Sequence, residues 1–202
     1  MNNPNPTANT PAADDPRYGF AKVTEQLGQL MEATEAIEPS ILTAETPCSE
    51  YAVSDLLDHV VMVMRRVVVI GSGRHWSEIE QDELGSGWTK AFRSAAHDAM
   101  EAWTDPAKLG QTFEVPWGEM PGAPLMLTYT GELAVHGWDL ATATGQPFSV
   151  DDEFLGGALM AVKFIPAEGR DNPEVPFGTV VDPGPDAPLL LQLAGWAGRQ
   201  VA

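Results

Sequence analysis

The stretch LMLTYTGELAVHGWDLATAT, Leu125–Thr144, decides how this chain is read. It predicts a long helix, ended by Gly145 and Pro147. In its middle, Glu132 and His136 stand four residues apart, one turn along the same face. Ala134 and Val135 beside them mark this helix as one of the core. A carboxylate and an imidazole that both point inward are costly unless something pairs with them. A divalent cation is one such partner, and helical bundles build metal sites in this way from side chains on facing helices. An ion pair on a half-exposed face is the plainer alternative.

Upstream, VSDLLDHVVMVMRRVVVI, Val53–Ile70, is apolar around most of its circumference and predicts the most buried helix of the chain. Asp55 in its first turn complements the helix dipole, and Gly71 and Gly73 stop it. His59 falls in the middle of this helix, among Leu56, Leu57, Val60 and Val61. If it projects toward the later helix, the cluster becomes two imidazoles and one carboxylate. Three protein ligands leave a coordination position open, as at catalytic zinc sites. The same donors accept iron(II) or nickel, so the ligand set by itself does not fix the metal. Taken alone, His59 is as readily a satisfied core histidine.

Further out, Phe20, Val23, Leu27, Leu30, Met31 and Thr34 recur at helical spacing from Tyr18 onward, up to Pro39. Trp88, Phe92, Ala95, Ala96, Ala99 and Trp103 mark another helix over Gly87–Thr104. Residues 112–124, TFEVPWGEMPGAP, read as a short strand, a turn and a Pro/Gly-rich loop. A short helix over Asp151–Ile165 has Ser149 as its expected N-cap, and a further helical run covers Leu189–Ala197. The expected fold is all-α: a four-helix bundle with a short β excursion and an extra C-terminal helix. Residues 1–16 are expected to be a disordered tail, 17–166 the bundle domain, and 167–202 a Pro/Gly-rich extension packing on it.

Composition narrows the function. With 29 acidic and 11 basic residues among 202, the net charge of −18 argues against nucleic acid and anionic membrane as partners. A hydrophobic content of 44% argues against wholesale disorder. The single cysteine, Cys48, excludes an intramolecular disulfide framework and any Cys-rich metal site. Met1–Asn9 carry no apolar run of a secretory signal, and Val60–Ile70 is broken by Arg65 and Arg66 and too short to span a bilayer. A cytoplasmic protein is expected. No G-x-G-x-x-G, G-x-x-x-x-G-K or G-x-S-x-G motif occurs.

The strings TPCSEYAVSDLLDHVV (46–61) and TGELAVHGWDLATATGQP (130–147) resemble signature segments of the DinB/YfiT-like metalloenzyme superfamily. They most resemble its actinobacterial branch, related to the metal-binding domain of mycothiol-dependent maleylpyruvate isomerase. VPWGEMPGAP (115–124) is similar to that branch's loop before the last bundle helix, and the likeness covers about Tyr18 to Ile165. The resemblance implies a four-helix bundle holding a zinc-like ion on His59, Glu132 and His136. It also implies a low-molecular-weight thiol, mycothiol in type, held by the metal as thiolate to attack a small electrophilic substrate in a transfer or isomerisation. Metal-dependent hydrolysis through a metal-bound water is the alternative, and a metal-binding or stress protein without turnover is another. Members of the superfamily are often dimers, so a homodimer is admissible.

Other residues stand as secondary candidates. Asp139 could orient His136 or His59, or pair with Arg65 or Arg66. Arg66 or Arg65 could reach the pocket and bind a carboxylate of substrate or thiol. Trp138, Tyr51 and Trp117 could line the cleft, although Trp138 suits the core equally. Asp58 is expected to be solvated, because helix neighbours do not share a face. Gly137 is expected to permit close approach of another helix. Cys48 reads as a structural thiol, and His75 and His97 as exposed residues without a role.

Overall fold

The computed structural model describes residues 15–79, 83–164, 167–168, 170 and 177–201. The first helix, α1, spans Pro16–Glu35. The Asp15 side chain caps it by accepting from the Arg17 backbone N–H at 2.9 Å, and Pro16 supplies the pre-set φ of a first helical position. Asp15 and Pro16, assigned to the tail by composition, therefore open the helix; the rest of that expected tail, residues 1–14, lies outside the described residues. Pro39 does not terminate α1 but begins a 3-10 turn, Pro39–Thr43.

The second helix, α2, is Val53–Gly71, with the Asp55 carboxylate accepting from the Ala52 N–H at 3.0 Å. Gly71 is required by a close approach: a Cβ there would collide with the Trp103 indole, whose Nε1 donates to the Val67 carbonyl. The third helix, α3, is Trp88–Ala102. Its own cap position, Gly87, offers no side chain, and the Glu35 carboxylate from the end of α1 accepts from the Trp88 and Thr89 N–H groups instead, at 3.1 and 3.0 Å.

Two strands follow, β1 (Thr112–Val115) and β2 (Gly118–Pro121), paired antiparallel with Thr112 opposite Pro121 and Val115 opposite Gly118. The stretch expected to hold one strand and a loop is thus a hairpin. A two-stranded sheet has only edge strands, where Pro121 costs no ladder hydrogen bond. Helix α4 starts at once, Gly122–Thr144, and ends at Gly145, whose φ of +67° suits a left-handed cap. Helix α5 is Asp152–Val162, with Asp151 rather than Ser149 at the N-cap position and no side-chain cap bond there, and α6 is Leu189–Trp196.

α1 packs on α4 and α2 on α3, while α2–α4 and α1–α3 contacts close the four-helix arrangement. α5 and α6 then lie against α4, so α4 is the central helix. The core is built from Phe20, Leu27, Met31, Leu56, Leu57, Met64, Phe92, Leu125 and Met126, all fully buried. Gly137 is needed for a side chain rather than a helix: the Phe148 ring occupies the space its Cβ would take. No described helix is long and apolar enough to cross a membrane.

Candidate metal centre

The contact between α2 and α4 places three side chains together. His59 Nε2 stands 3.4 Å from Glu132 Oε1, and the His59 and His136 rings meet edge to face with centroids 4.7 Å apart. One ligand atom from each of His59, Glu132 and His136 lies within 4.8 Å of the other two. Donors bound to one tetrahedral zinc at about 2.0–2.1 Å stand about 3.4 Å from each other, the separation of His59 and Glu132.

An independent observation tests the fit. His59 Nε2 is buried without a close hydrogen bond; Glu132 Oε1 stands 3.4 Å from it. Buried polar atoms are almost always satisfied, so this nitrogen has room for a further partner. A cation shared with Glu132 and His136 is such a partner.

Each imidazole is held from behind. Tyr51, from the connection between α1 and α2, places its hydroxyl 3.0 Å from His59 Nδ1 and its ring 4.7 Å from the His59 ring. Burial, reinforced by the nearby negative charges, pushes the Tyr51 phenol upward, so it stays neutral. On α4, His136 Nδ1 is 3.1 Å from Asp139 Oδ2, which leaves Nε2 as the nitrogen open to the cluster. Arg199 grips the same carboxylate with Nε on Oδ1 at 3.0 Å and Nη2 on Oδ2 at 2.8 Å. Asp139 thus orients His136, and its cationic partner is Arg199 rather than Arg65 or Arg66.

The electrostatics favour ligand-competent forms. Burial lowers the pKa of His136 and outweighs the opposing carboxylates, which keeps the imidazole neutral. Burial pushes the Glu132 carboxyl up, but His59, His136 and Arg66 outweigh it and the net shift is downward. The same balance holds for Asp139: burial raises it, and His136 and Arg199 bring it below the usual value. The site therefore presents a neutral His136 imidazole and an ionised Glu132 carboxylate beside His59.

The remaining candidates fall in different places. Arg66 is half-buried, donates from Nη2 to the Met62 sulfur at 3.0 Å and leaves its buried Nε without a hydrogen bond. Trp138 is two residues, about 200°, around α4 from His136 and packs against the core rather than the cluster. Trp117, on the hairpin turn, is 49% exposed with its ring 6.0 Å from that of Tyr129. Asp58, expected in solvent, accepts from the Leu84 N–H at 2.9 Å and the Trp88 indole at 2.6 Å, tying α2 to the start of α3. Cys48 is buried, and desolvation pushes its thiol up, away from nucleophilic use. His97, with Asp98 and Glu101, forms an exposed group on the surface. Arg199 escaped sequence reasoning altogether; the sole hint is a lone cation after the apolar run LLLQLAGWAG.

A DinB-like helical bundle with an inward His–Glu–His cluster is the class that fold and site define. The chain belongs to the family described as the mycothiol maleylpyruvate isomerase N-terminal domain, whose sequence model matches residues 23–141. It is also similar to an uncharacterized protein of Mycobacterium tuberculosis, found in strains CDC 1551 / Oshkosh and ATCC 25618 / H37Rv. The identity is 32% over 189 residues, covering 93% of this chain and 99% of the relative. No solved structure matches.

Proposed function

We propose that this chain holds one divalent cation on His59, Glu132 and His136, zinc by first choice with nickel or iron(II) as alternatives. We further propose that it uses the cation to activate a low-molecular-weight thiol of the mycothiol type toward a small electrophile, in a transfer or an isomerisation. The observation that carries the metal part is the buried His59 Nε2, without a close hydrogen bond, inside a cluster of three ligand atoms. The thiol part is supported by membership of a family described by its mycothiol-dependent isomerase.

When bound, such an ion would stabilise a thiol as thiolate, a nucleophile at neutral pH. The chain's own residues supply the rest. Tyr51 and Asp139 hold the two imidazoles in place. Three protein donors leave room for one exogenous ligand. Arg66, half-buried near Glu132, supplies a planar guanidinium suited to a carboxylate of the substrate or thiol.

Elemental analysis of the purified protein before and after chelation tests the first part: about one metal per chain, removable by chelator, is expected, and a protein that never takes up metal overturns it. Cobalt substitution tests the second. Mycothiol is expected to produce a thiolate-to-cobalt charge-transfer band; no band with any thiol removes the thiol chemistry and leaves hydrolysis or a metal-binding role without turnover.

A further inference from the structure

We infer that Arg199 is a positioning residue of the candidate metal site, acting on His136 through Asp139. The inference takes its functional meaning from the metal reading above, but its geometry stands without it. Arg199 follows α6 and lies outside residues 23–141, the part that matches the family. Its backbone N–H donates to the Ala194 carbonyl at 2.9 Å and its Nη1 to the Ala197 carbonyl at 3.1 Å, so the guanidinium is tied to the end of α6. From there Nε and Nη2 take both oxygens of Asp139. The pair is buried: the Asp139 side chain is 0% exposed and that of Arg199 10%.

A carboxylate held at one point can turn about its Cβ–Cγ bond and can offer either oxygen. A two-pronged guanidinium fixes its plane. Asp139 is three residues beyond His136 on α4 and therefore on the same face, with Oδ2 directed at Nδ1. Fixing Oδ2 as an acceptor selects the imidazole tautomer with hydrogen on Nδ1 and the lone pair on Nε2, the nitrogen toward Glu132 and His59. Because the carboxylate is already paired with Arg199, it can orient the ring while sharing its charge. The C-terminal segment thus completes a site whose three candidate ligands all lie within the family domain.

The competing account is that Arg199 merely ties the C-terminal segment to α4. Full-length wild-type protein, Arg199→Met and Arg199→Lys separate the two. Nitrogen–proton correlation spectra of the metal-free protein report the His136 tautomer, assigned with His136→Gln, and competition with a chromophoric chelator reports zinc affinity. The expected result is a single Nδ1–H tautomer in wild type, and mixed tautomers with about 10- to 100-fold weaker zinc binding in a folded Arg199→Met. Arg199→Lys, which keeps the charge and loses the fork, is expected to recover melting temperature but not the single tautomer. A lowered melting temperature with wild-type tautomer and zinc affinity overturns the inference. If Arg199→Met does not fold, Arg199→Lys decides by the same two readouts. A wild type that takes up no zinc defeats the metal reading instead, and the tautomer still settles the role of Arg199.

Discussion

The Tyr51 hydroxyl lies 3.0 Å from His59 Nδ1, so a loop residue eight positions upstream sets the orientation of an α2 imidazole. With Nδ1 engaged, Nε2 is the nitrogen facing Glu132. Removing the hydroxyl in Tyr51→Phe keeps the ring packing and loses the hydrogen bond. We expect zinc affinity to fall about 10- to 100-fold, as for other outer partners of metal-bound histidines, with helical content unchanged. Chelator competition measures the first and circular dichroism the second.

His59→Ala, Glu132→Ala and His136→Ala should each abolish stoichiometric metal binding, while His97→Ala should leave it intact, because the His97 group is exposed to solvent. Metal content by elemental analysis checks all four. Retention of one metal per chain in all three variants of the cluster refutes the assignment.

Arg66→Met should preserve metal content and weaken binding of carboxylate-bearing ligands. The buried Nε of Arg66 has no hydrogen bond, Nη2 donates to a thioether, a weak acceptor, and the guanidinium stands beside the neutral Tyr129 phenol. Titration of the cobalt form with 3-mercaptopropionate and its uncharged amide reads the effect. The acid should bind more tightly than the amide in wild type and lose that advantage in Arg66→Met.

The metal-free protein should lose stability on acidification in two stages. His136 has a folded pKa below its usual value near 6.5, so the unfolded chain takes up the proton first. Its contribution is complete above about pH 6.5 and declines as the pH falls toward the lower folded value. The Glu132 and Asp139 carboxyls are also depressed, below 4.5 and 3.8, and their contributions are lost at still lower pH. Chemical denaturation between pH 8 and pH 4 should show the first stage, and His136→Gln should flatten it.

Asp58→Ala should destabilise the fold by about 1–3 kcal/mol, because the Trp88 indole and the Leu84 N–H lose their acceptor. Urea unfolding measures the loss. Metal content should not change.

Much of the bundle was legible because helices announce themselves locally. The spacing of Phe20, Val23, Leu27 and Met31, and of Trp88, Phe92 and Ala99, placed α1 and α3 to within a few residues. The hairpin was half seen, since a four-residue strand ending in Pro121 carries too little pattern to outweigh its proline. The caps were harder. Glu35 serves a helix that starts 53 residues later, and nothing around Trp88 signals that its N–H will be met from α1.

Sequence by itself determined the period of the helices and the chemical identity of the cluster. Glu132 and His136 are one helical turn apart whatever the tertiary fold, and His59 sits in a helix too apolar to face water. Only the tertiary structure decided that α2 meets α4 at that level, that Tyr51 and Asp139 stand behind the two imidazoles, and that Arg199, sixty residues from Asp139, completes the arrangement. The physical reason is range. Helix spacing follows from backbone geometry over a few residues, whereas a buried ion pair between distant segments exists only after packing has brought them together and excluded the water that would otherwise solvate both charges.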